Sequence, residues 1–268
     1  MDRISHQPLG LKREVLNFFG KAFVICELEV RKLRHDYFDL ISRAVQPAFW
    51  LLIFGPVFTR IRVFPTGTVR YIDFMAPGVL AQSCLFISIF YGIAMIWERD
   101  MGILNKLLVS PIRRPALVLG KALSASVRAL AQACIVFILA AVLGIPILWN
   151  PLYLAGVIAA IILGSVFFAS LSMTIASLVK TRERFMGLNQ ILTMPLFFAS
   201  NALYPIDVMP AWLKAIAVVN PLSYQVNLLR SLMITGDFHT LIRDFVILTV
   251  LAAAAVAVGS ILYQRVLE

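Results

Sequence analysis

The feature that most constrains this chain is a series of long apolar segments that lack acidic residues. The segment at 152–179 carries no charged side chain, and the segment at 74–97 carries no Asp or Glu. Over its 268 residues the chain is 60% hydrophobic and only 14% charged. A soluble domain of this size cannot bury so much apolar surface, whereas helices can cross a bilayer with every backbone polar group paired. The sequence therefore predicts an all-α polytopic membrane protein.

Six apolar segments are candidates for transmembrane helices. In chain order they lie at 42–58, 74–97, 116–143, 152–179, 186–204 and 242–263. A hydrocarbon core of about 30 Å requires about 20 helical residues, so the first segment is short, and Pro47 is expected to kink it. We expect residues 1–268 to form a single membrane domain, in which six helices at 41–268 follow a cytoplasmic interfacial segment at 1–40.

The distribution of Lys and Arg predicts the orientation of these spans. If the N-terminus lies inside, the inner segments hold 17 of the 24 Lys and Arg residues and the outer segments hold 6. Because positive residues favour cytoplasmic loops, both termini are expected in the cytoplasm. Residues 12–35 interleave basic and apolar side chains, which predicts an amphipathic helix lying along the cytoplasmic membrane surface.

The polar stretch at 98–121 separates the second and third spans and has a helical pattern of its own. One face carries apolar side chains at helical spacing, namely Met101, Leu104, Leu107 and Leu108. We expect an amphipathic helix from about 98 to 110, with Glu98 and Asp100 in its first turn and its end at Ser110, before Pro111. Such a helix either docks into a partner or rests in the lipid headgroups.

The stretch at 205–240 fits neither an ordinary loop nor a full span. It is apolar, but it is interrupted by Pro205, Pro210, Pro221 and Gly236. We expect two short re-entrant helices, at 207–218 and 221–234, that enter the outer leaflet between the fifth and sixth spans. Backbone that does not span at this depth must be buried in protein. A plain extracellular loop is the alternative.

The sequence contains no recognisable catalytic or metal site. The HExxH and GxSxG patterns are absent, and three cysteines lie without metal-ligand spacing. A phosphate-binding loop requires a glycine five residues before Gly120, and Pro115 stands there instead. No catalytic residue, metal or cofactor is therefore expected on this chain. The basic residues lie in short loops, which indicates topology rather than a nucleic-acid partner.

A few polar residues lie inside the predicted spans and are candidates for a translocation path. They are Arg128 and Gln132 in the third span and Gln190 and Asn201 in the fifth. Arg128 either snorkels to the cytoplasmic headgroups or faces an anionic group, and the amides either contact substrate or bond helix to helix. Because the second to fifth spans carry no carboxylate, a proton-coupled carrier is disfavoured.

Three groups of residues form longer motifs. The first consists of Tyr71, Phe74, Pro77 and Gly78. The second consists of Glu98, Arg99, Gly102, Leu104, Leu107, Ser110, Pro111, Gly120 and Lys121. The third consists of Pro205, Pro210, Trp212, Leu213, Asn220, Pro221, Leu222, Ser223, Tyr224 and Arg230. Together they resemble the second-span entry, the coupling helix and the re-entrant segment of permease subunits of type-2 ATP-binding-cassette exporters.

The resemblance covers about residues 40–265 and implies that the membrane path and ATP hydrolysis belong to separate chains. Two six-helix permeases would pair, as a homodimer, and each would sit on a separate ATPase subunit that holds ATP and magnesium. The residues that would face this ATPase are Glu98, Arg99, Met101, Gly102, Leu104, Leu107, Ser110 and Pro111. Their apolar face would anchor the contact and the charged pair would set its register. The family often has Thr-Leu-Glu where this chain has Ile-Leu-Asn at 103–105, which leaves the partner's identity open.

We therefore expect the permease subunit of an ATP-driven exporter in the plasma (inner) membrane of a prokaryote. Its expected substrate is amphipathic or hydrophobic, such as a drug, lipid or glycolipid. A polysaccharide or lipid-linked glycan exporter is the nearest alternative. An intramembrane enzyme, which would need no ATPase, and a carrier driven by an ion gradient alone are the rival classes.

Overall fold

The computed structural model describes residues 37–61, 69–102, 114–179 and 181–262, with side chains from residue 41 in the first range and from 115 in the third. All regular structure in these ranges is helical. The helices are α1 (Tyr37–Phe49), a π-helical turn (Trp50–Phe54), α2 (Gly55–Ile61), α3 (Tyr71–Asp100), α4 (Arg114–Val142), α5 (Pro151–Leu178), α6 (Arg182–Phe198), a 3₁₀ turn (Ile206–Val208), α7 (Ala211–Val219), α8 (Pro221–Arg230), a second π-helical turn (Ser231–Thr235) and α9 (Leu241–Leu262).

Five helical segments are long and apolar enough to cross a membrane. They are Ile41–Ile61, Tyr71–Asp100, Pro115–Val142, Pro151–Leu178 and Leu241–Leu262. The prediction of an all-helical, multi-pass membrane protein is thereby confirmed for the described residues. The predicted amphipathic helix at 12–35 lies outside them. The fifth predicted span corresponds to α6, which has 17 residues, about 25 Å of helix against a core of about 30 Å. A sixth span is therefore not established.

The limits of α6 differ from the predicted segment at 186–204. The helix begins earlier because the Thr181 hydroxyl accepts a hydrogen bond from the Arg184 amide (3.4 Å) and caps it. Arg182 and Arg184 therefore lie in the first helical turn rather than in a loop. The helix also ends earlier, at Phe198, after which the chain turns before the 3₁₀ segment.

Helix α5 is the centre of the bundle and packs against α3, α4 and α9. Small residues allow this close approach. A Cβ at Gly92 of α3 would clash with the Ser172 hydroxyl of α5, and that hydroxyl donates to the carbonyl of Ile89. Close backbone contact of this kind favours helix association in membranes, where no hydrophobic effect drives apolar helices together.

Helices α1 and α2 form one interrupted segment that packs on α3 and α4. Pro47 lies inside α1, and the first π-helical turn follows it, consistent with an irregular first span. Thr59, predicted to begin an external loop, is still helical. Its hydroxyl donates to the Gly55 carbonyl (2.7 Å) and accepts from the Ile72 amide (3.2 Å), which joins α2 to the start of α3.

Candidate functional site

Gly102 ends α3 and determines where the predicted coupling segment begins. The amide of Met101 donates to the Trp97 carbonyl (3.0 Å), and the amide of Gly102 donates to the Arg99 carbonyl (2.9 Å). Gly102 has φ +68°, a left-handed conformation that favours glycine and closes many helices. The prediction that residues 98–100 open a new helix is therefore wrong, because they form the last turn of α3.

The charged residues of this last turn contact other helices of the same chain. Glu98 forms an ion pair with Lys121 of α4. Arg99 donates to the carbonyl of Val179, just beyond α5 (3.2 Å). The interpretation that this pair sets the register with an ATPase remains a prediction, but both side chains have partners within the permease. They hold the end of α3 against α4 and α5.

A second set of contacts joins the same turn to α6. Arg182 forms an ion pair with Asp100 (2.8 Å), and its guanidinium lies 4.1 Å from the centroid of the Trp97 ring. We call the six residues that make these contacts the α3-end cluster. Its members are Trp97, Glu98, Arg99, Asp100, Lys121 and Arg182.

Of the remaining coupling residues, the structure describes only Met101 and Gly102. The side chain of Met101 is 59% exposed, as an anchor for a partner would be. Leu104, Leu107, Ser110 and Pro111 lie outside the described residues, so their predicted amphipathic helix stays a prediction.

Asn220 connects the predicted re-entrant helices to α6. Its side-chain oxygen accepts from the Leu222 amide (3.0 Å) and caps α8, while its Nδ2 donates to the carbonyls of Leu196 (2.7 Å) and Ala199 (3.2 Å). Pro221 occupies the first position of α8, where its missing N–H costs no hydrogen bond. The Asn-Pro pair of the motif therefore both starts one helix and holds the end of another.

The other residues of the third motif shape the turns around α7. Pro205 precedes the 3₁₀ turn, and Pro210 precedes α7. The Tyr224 hydroxyl donates to the carbonyl of Val218 (2.5 Å) and so joins α8 to α7. Trp212 is 66% exposed on α7. The two predicted short helices are thus present, although their depth in a membrane stays a prediction.

The first and third motifs meet at the start of α3. The Arg230 guanidinium donates to the carbonyls of Asn201 (2.7 Å) and Phe74 (3.3 Å) and lies 3.8 Å from the centroid of the Phe74 ring. The Tyr71 hydroxyl donates to the Leu203 carbonyl (2.9 Å). We call this contact region the α3–α8 junction.

Gly78 explains why the junction can be so close. A Cβ at this position would overlap the backbone of Ala202, in the turn that follows α6. Only glycine allows α3 and this turn to pack backbone to backbone. The two motifs are recognisable separately in the sequence, but their contact is not, because the residues that meet are more than 120 positions apart.

The four candidate path residues do not form one site. The Arg128 guanidinium lies 5.9 Å from the centroid of the Tyr91 ring, and Gln132 is buried at a cavity between α1, α3 and α4. Gln190 is exposed on α6. Asn201 is buried and donates to the side chain of Asn227 at the α3–α8 junction. The described residues contain no group of three or more His, Cys, Asp or Glu residues placed to hold a metal.

Comparison with known proteins agrees with this architecture. Residues 21–234 match the family described as ABC-2 type transporter, so the chain belongs to the ABC-2 type transporter family. It is a membrane transport permease of this type, and permeases of this family work with an ATP-binding subunit.

Three relatives illustrate the similarity. The chain is 29% identical to a protein of Cyanophora paradoxa named as the transport permease ycf38, over 86% of this chain and 80% of that one. It is 28% identical to the daunorubicin resistance ABC transporter permease protein DrrB1 of Streptomyces coeruleorubidus, over 75% of this chain and 70% of that one. It is 26% identical to nodulation protein J of Rhizobium leguminosarum bv. viciae, over 85% of this chain and 87% of that one.

Proposed function

We propose that this chain is the permease subunit of an ATP-driven exporter in the plasma (inner) membrane of a prokaryote. Two copies would form the path for an amphipathic or hydrophobic substrate, and a separate subunit would bind ATP and magnesium and hydrolyse the nucleotide. One relative is named for daunorubicin resistance, which supports a drug among the drug, lipid and glycolipid substrates that we expect.

The observation that carries this proposal is the position of the α3-end cluster. The segment proposed to dock into the ATPase begins at Gly102, directly after a turn bound to α4 through Lys121 and to α6 through Arg182. A displacement of this segment would therefore act on three helices at once. This arrangement supports a coupling role, because movement of a partner in the cytoplasm would be passed directly to the ends of membrane helices.

The mechanism needs an apolar anchor and a direct connection from this anchor to the membrane helices. Met101, Leu104 and Leu107 would pack into a cleft of the ATPase, and closure of the ATPase around nucleotide would move them. The ion pairs of the α3-end cluster would then transmit the movement, since they join the ends of the helices directly. The permease itself would contribute no catalytic group to ATP hydrolysis.

Leu104→Asp tests the docking step. The full-length permease should be co-purified in mild detergent with the phosphate-loop ATPase encoded beside it, and ATP hydrolysis measured. We expect the wild type to retain an active ATPase and the variant to lose most of it, because a carboxylate in a packed apolar contact remains unpaired.

Asn105→Asp is the matched control. It adds the same charge on the polar face of the same predicted helix, so co-purification and hydrolysis should stay near the wild-type level. If Leu104→Asp also retains the ATPase fully, the docking model is wrong. If the wild type purifies alone and no ATPase responds to it, the proposed function itself fails.

A further inference from the structure

A cavity of about 280 Å³ lies between α1, α3 and α4, inside a single copy of the permease. At about 30 Å³ per water molecule it could hold about nine waters, or one group of the size of a sugar or a glycerol phosphate. Much of its wall is apolar, including Phe86 and Phe90. The polar side chains that line it are Ser42, Arg43, Gln46, Gln82, Ser83 and Gln132. A mostly apolar wall with a few polar groups is typical of small-molecule sites.

Gln132 indicates that the cavity has an occupant. Its side chain is 1% exposed, and neither its Nε2 nor its Oε1 has a hydrogen-bond partner among the described residues. A carboxamide buried without partners is strongly unfavourable in an apolar environment. Because the amide offers both a donor and an acceptor to the cavity, its natural complement is a group such as a hydroxyl, which can accept and donate in return.

The two ends of the cavity differ in charge. The Arg43 guanidinium lies over the ring of Phe90, 4.6 Å from its centroid, whereas Gln82 lies about 12 Å further along α3. No Asp or Glu is present among the described residues that line the cavity. With the cation Arg43 at one end and the neutral amide of Gln82 toward the other, the cavity would suit a ligand in which an anionic group is joined to hydroxyls.

We propose that this cavity binds the headgroup of an anionic, hydroxyl-bearing amphiphile. The amides of Gln132 and Gln82 would bond its hydroxyls, and Arg43 would balance its negative charge. The same chemistry could come from a resident membrane phospholipid or from the exported substrate. The second source rests on the proposed function and would narrow the substrate class to anionic amphiphiles with polyhydroxylated headgroups.

Phosphatidylglycerol is a suitable probe because its headgroup carries both a phosphate and hydroxyls. Full-length permease, depleted of lipid in mild detergent and without any ATPase, should be titrated with dioleoyl phosphatidylglycerol and with dioleoyl phosphatidylcholine. Native mass spectrometry would count the bound lipid. We expect saturable binding of phosphatidylglycerol and, for Gln132→Leu, an affinity about five- to tenfold weaker, as loss of one buried hydrogen bond predicts.

Two further variants keep the test decisive. Gln82→Leu should weaken binding by a similar factor, whereas Thr249→Val, which removes an exposed hydroxyl on α9, should leave it unchanged. The lipid-free Gln132→Leu variant should unfold at the wild-type temperature or above it, because no internal hydrogen bond is removed. Equal binding of both lipids, equal loss in all three variants, or binding that Gln132→Leu does not change would overturn the proposal.

A second arm identifies the source of the headgroup. The permease with its ATPase should be reconstituted in vesicles that contain labelled phosphatidylglycerol, and exchange of the bound lipid followed with and without ATP. Exchange that depends on ATP would identify the headgroup as belonging to a transported molecule, and retention during ATP turnover would identify a resident lipid. Since the binding arm contains no ATPase, failure of the coupling mechanism would not affect its result.

Discussion

The two ends of α3 are held by opposite kinds of interaction. At the α3–α8 junction, Tyr71 and Arg230 donate to backbone carbonyls, and Gly78 packs directly on backbone. At the α3-end cluster, partly exposed charges such as Glu98 and Asp100 pair with side chains of neighbouring helices. One end is therefore fixed by close packing and backbone hydrogen bonds, and the other by side-chain ion pairs that water can reach.

This difference indicates which end of α3 can move. Water cannot replace the buried hydrogen bonds of the junction, so opening it would leave donors and acceptors unpaired. Water can replace much of an exposed ion pair, so the Asp100–Arg182 pair, whose side chains are 36% and 35% exposed, can separate and re-form at low cost. A helix with one fixed and one adaptable end suits the proposed coupling role, in which force enters beside Gly102.

Gly78→Ala should have the largest effect, because it breaks the fixed end. The added Cβ would overlap the backbone of Ala202, which cannot rotate away as a side chain can. Overpacking in a tight contact costs about 1–3 kcal/mol. We expect a clearly lower thermal midpoint of the purified permease in detergent, together with reduced yield of monodisperse protein.

Gly187→Ala is the matched control for this substitution. Gly187 lies within α6, and in the part of the chain that the structure describes no atom lies within 4 Å of the point that an added Cβ would occupy. Alanine there should be neutral or stabilising by up to about 1 kcal/mol through its helix propensity. The same chemical change should thus have opposite signs at the two sites. If both variants unfold at the wild-type temperature, the junction is not the fixed end.

Exchange of the charges of Glu98 and Lys121 tests the adaptable end. Glu98→Lys or Lys121→Glu alone places two like charges at the same contact, whereas the double variant restores an ion pair. Because the side chains of Lys121 and Glu98 are only 11% and 27% exposed, each single variant should also lower the thermal midpoint, and the double variant should restore most of it. Stimulated ATP hydrolysis should fall severalfold in each single variant and recover by at least half in the double variant.

Arg60→Glu is the control, because it reverses the charge of an exposed residue that lies outside the α3-end cluster. It should affect neither stability nor stimulated hydrolysis. Failure of the double variant to recover would show that each residue acts separately, for instance on the ATPase surface, and that the pair is not the transmitting contact.

The long helices were predictable because their physical cause is local. A run of apolar residues long enough to cross a bilayer must form a helix, and a cap such as Asn150 followed by Pro151 marks where α5 begins. The sequence pattern misplaces the end of α3, because acidic residues such as Glu98 and Asp100 are also typical of the first turn of a helix. The helix instead continues through these charges to Gly102, where the backbone conformation changes.

The candidate sites were less predictable because they depend on contacts across the bundle. Arg230 and Phe74 are 156 residues apart, so no local pattern shows that one donates to the carbonyl of the other. Likewise, Gln132 was identified as a polar residue inside a span, but the residues that share its cavity come from two other helices. The type of a residue indicates that it is a candidate for binding, but only the packing of the helices shows which polar residues lie close together.

Substitution of Gly102 should give the smallest loss of thermal stability. It tests the effect of backbone conformation without a change in packing. Gly102 has φ +68°, and no atom of the described residues lies within 4 Å of the point that a Cβ would occupy, so a side chain there would meet strain but no clash with these residues. Gly102→Ala should cost about 1 kcal/mol, and Gly102→Asn less, because asparagine tolerates the left-handed region better. Thermal unfolding of both variants in detergent would measure this order.

The same two variants also sharpen the comparison between the ends of α3. If Gly102 only terminates the helix, stimulated ATP hydrolysis should decrease in the same order as the thermal midpoint, with Gly102→Asn closer to the wild type than Gly102→Ala. If hydrolysis falls equally in both while their stabilities differ, the turn would act by direct contact with the ATPase rather than by its conformation. The first pattern is expected, because the left-handed turn sets the direction in which the docking segment leaves α3.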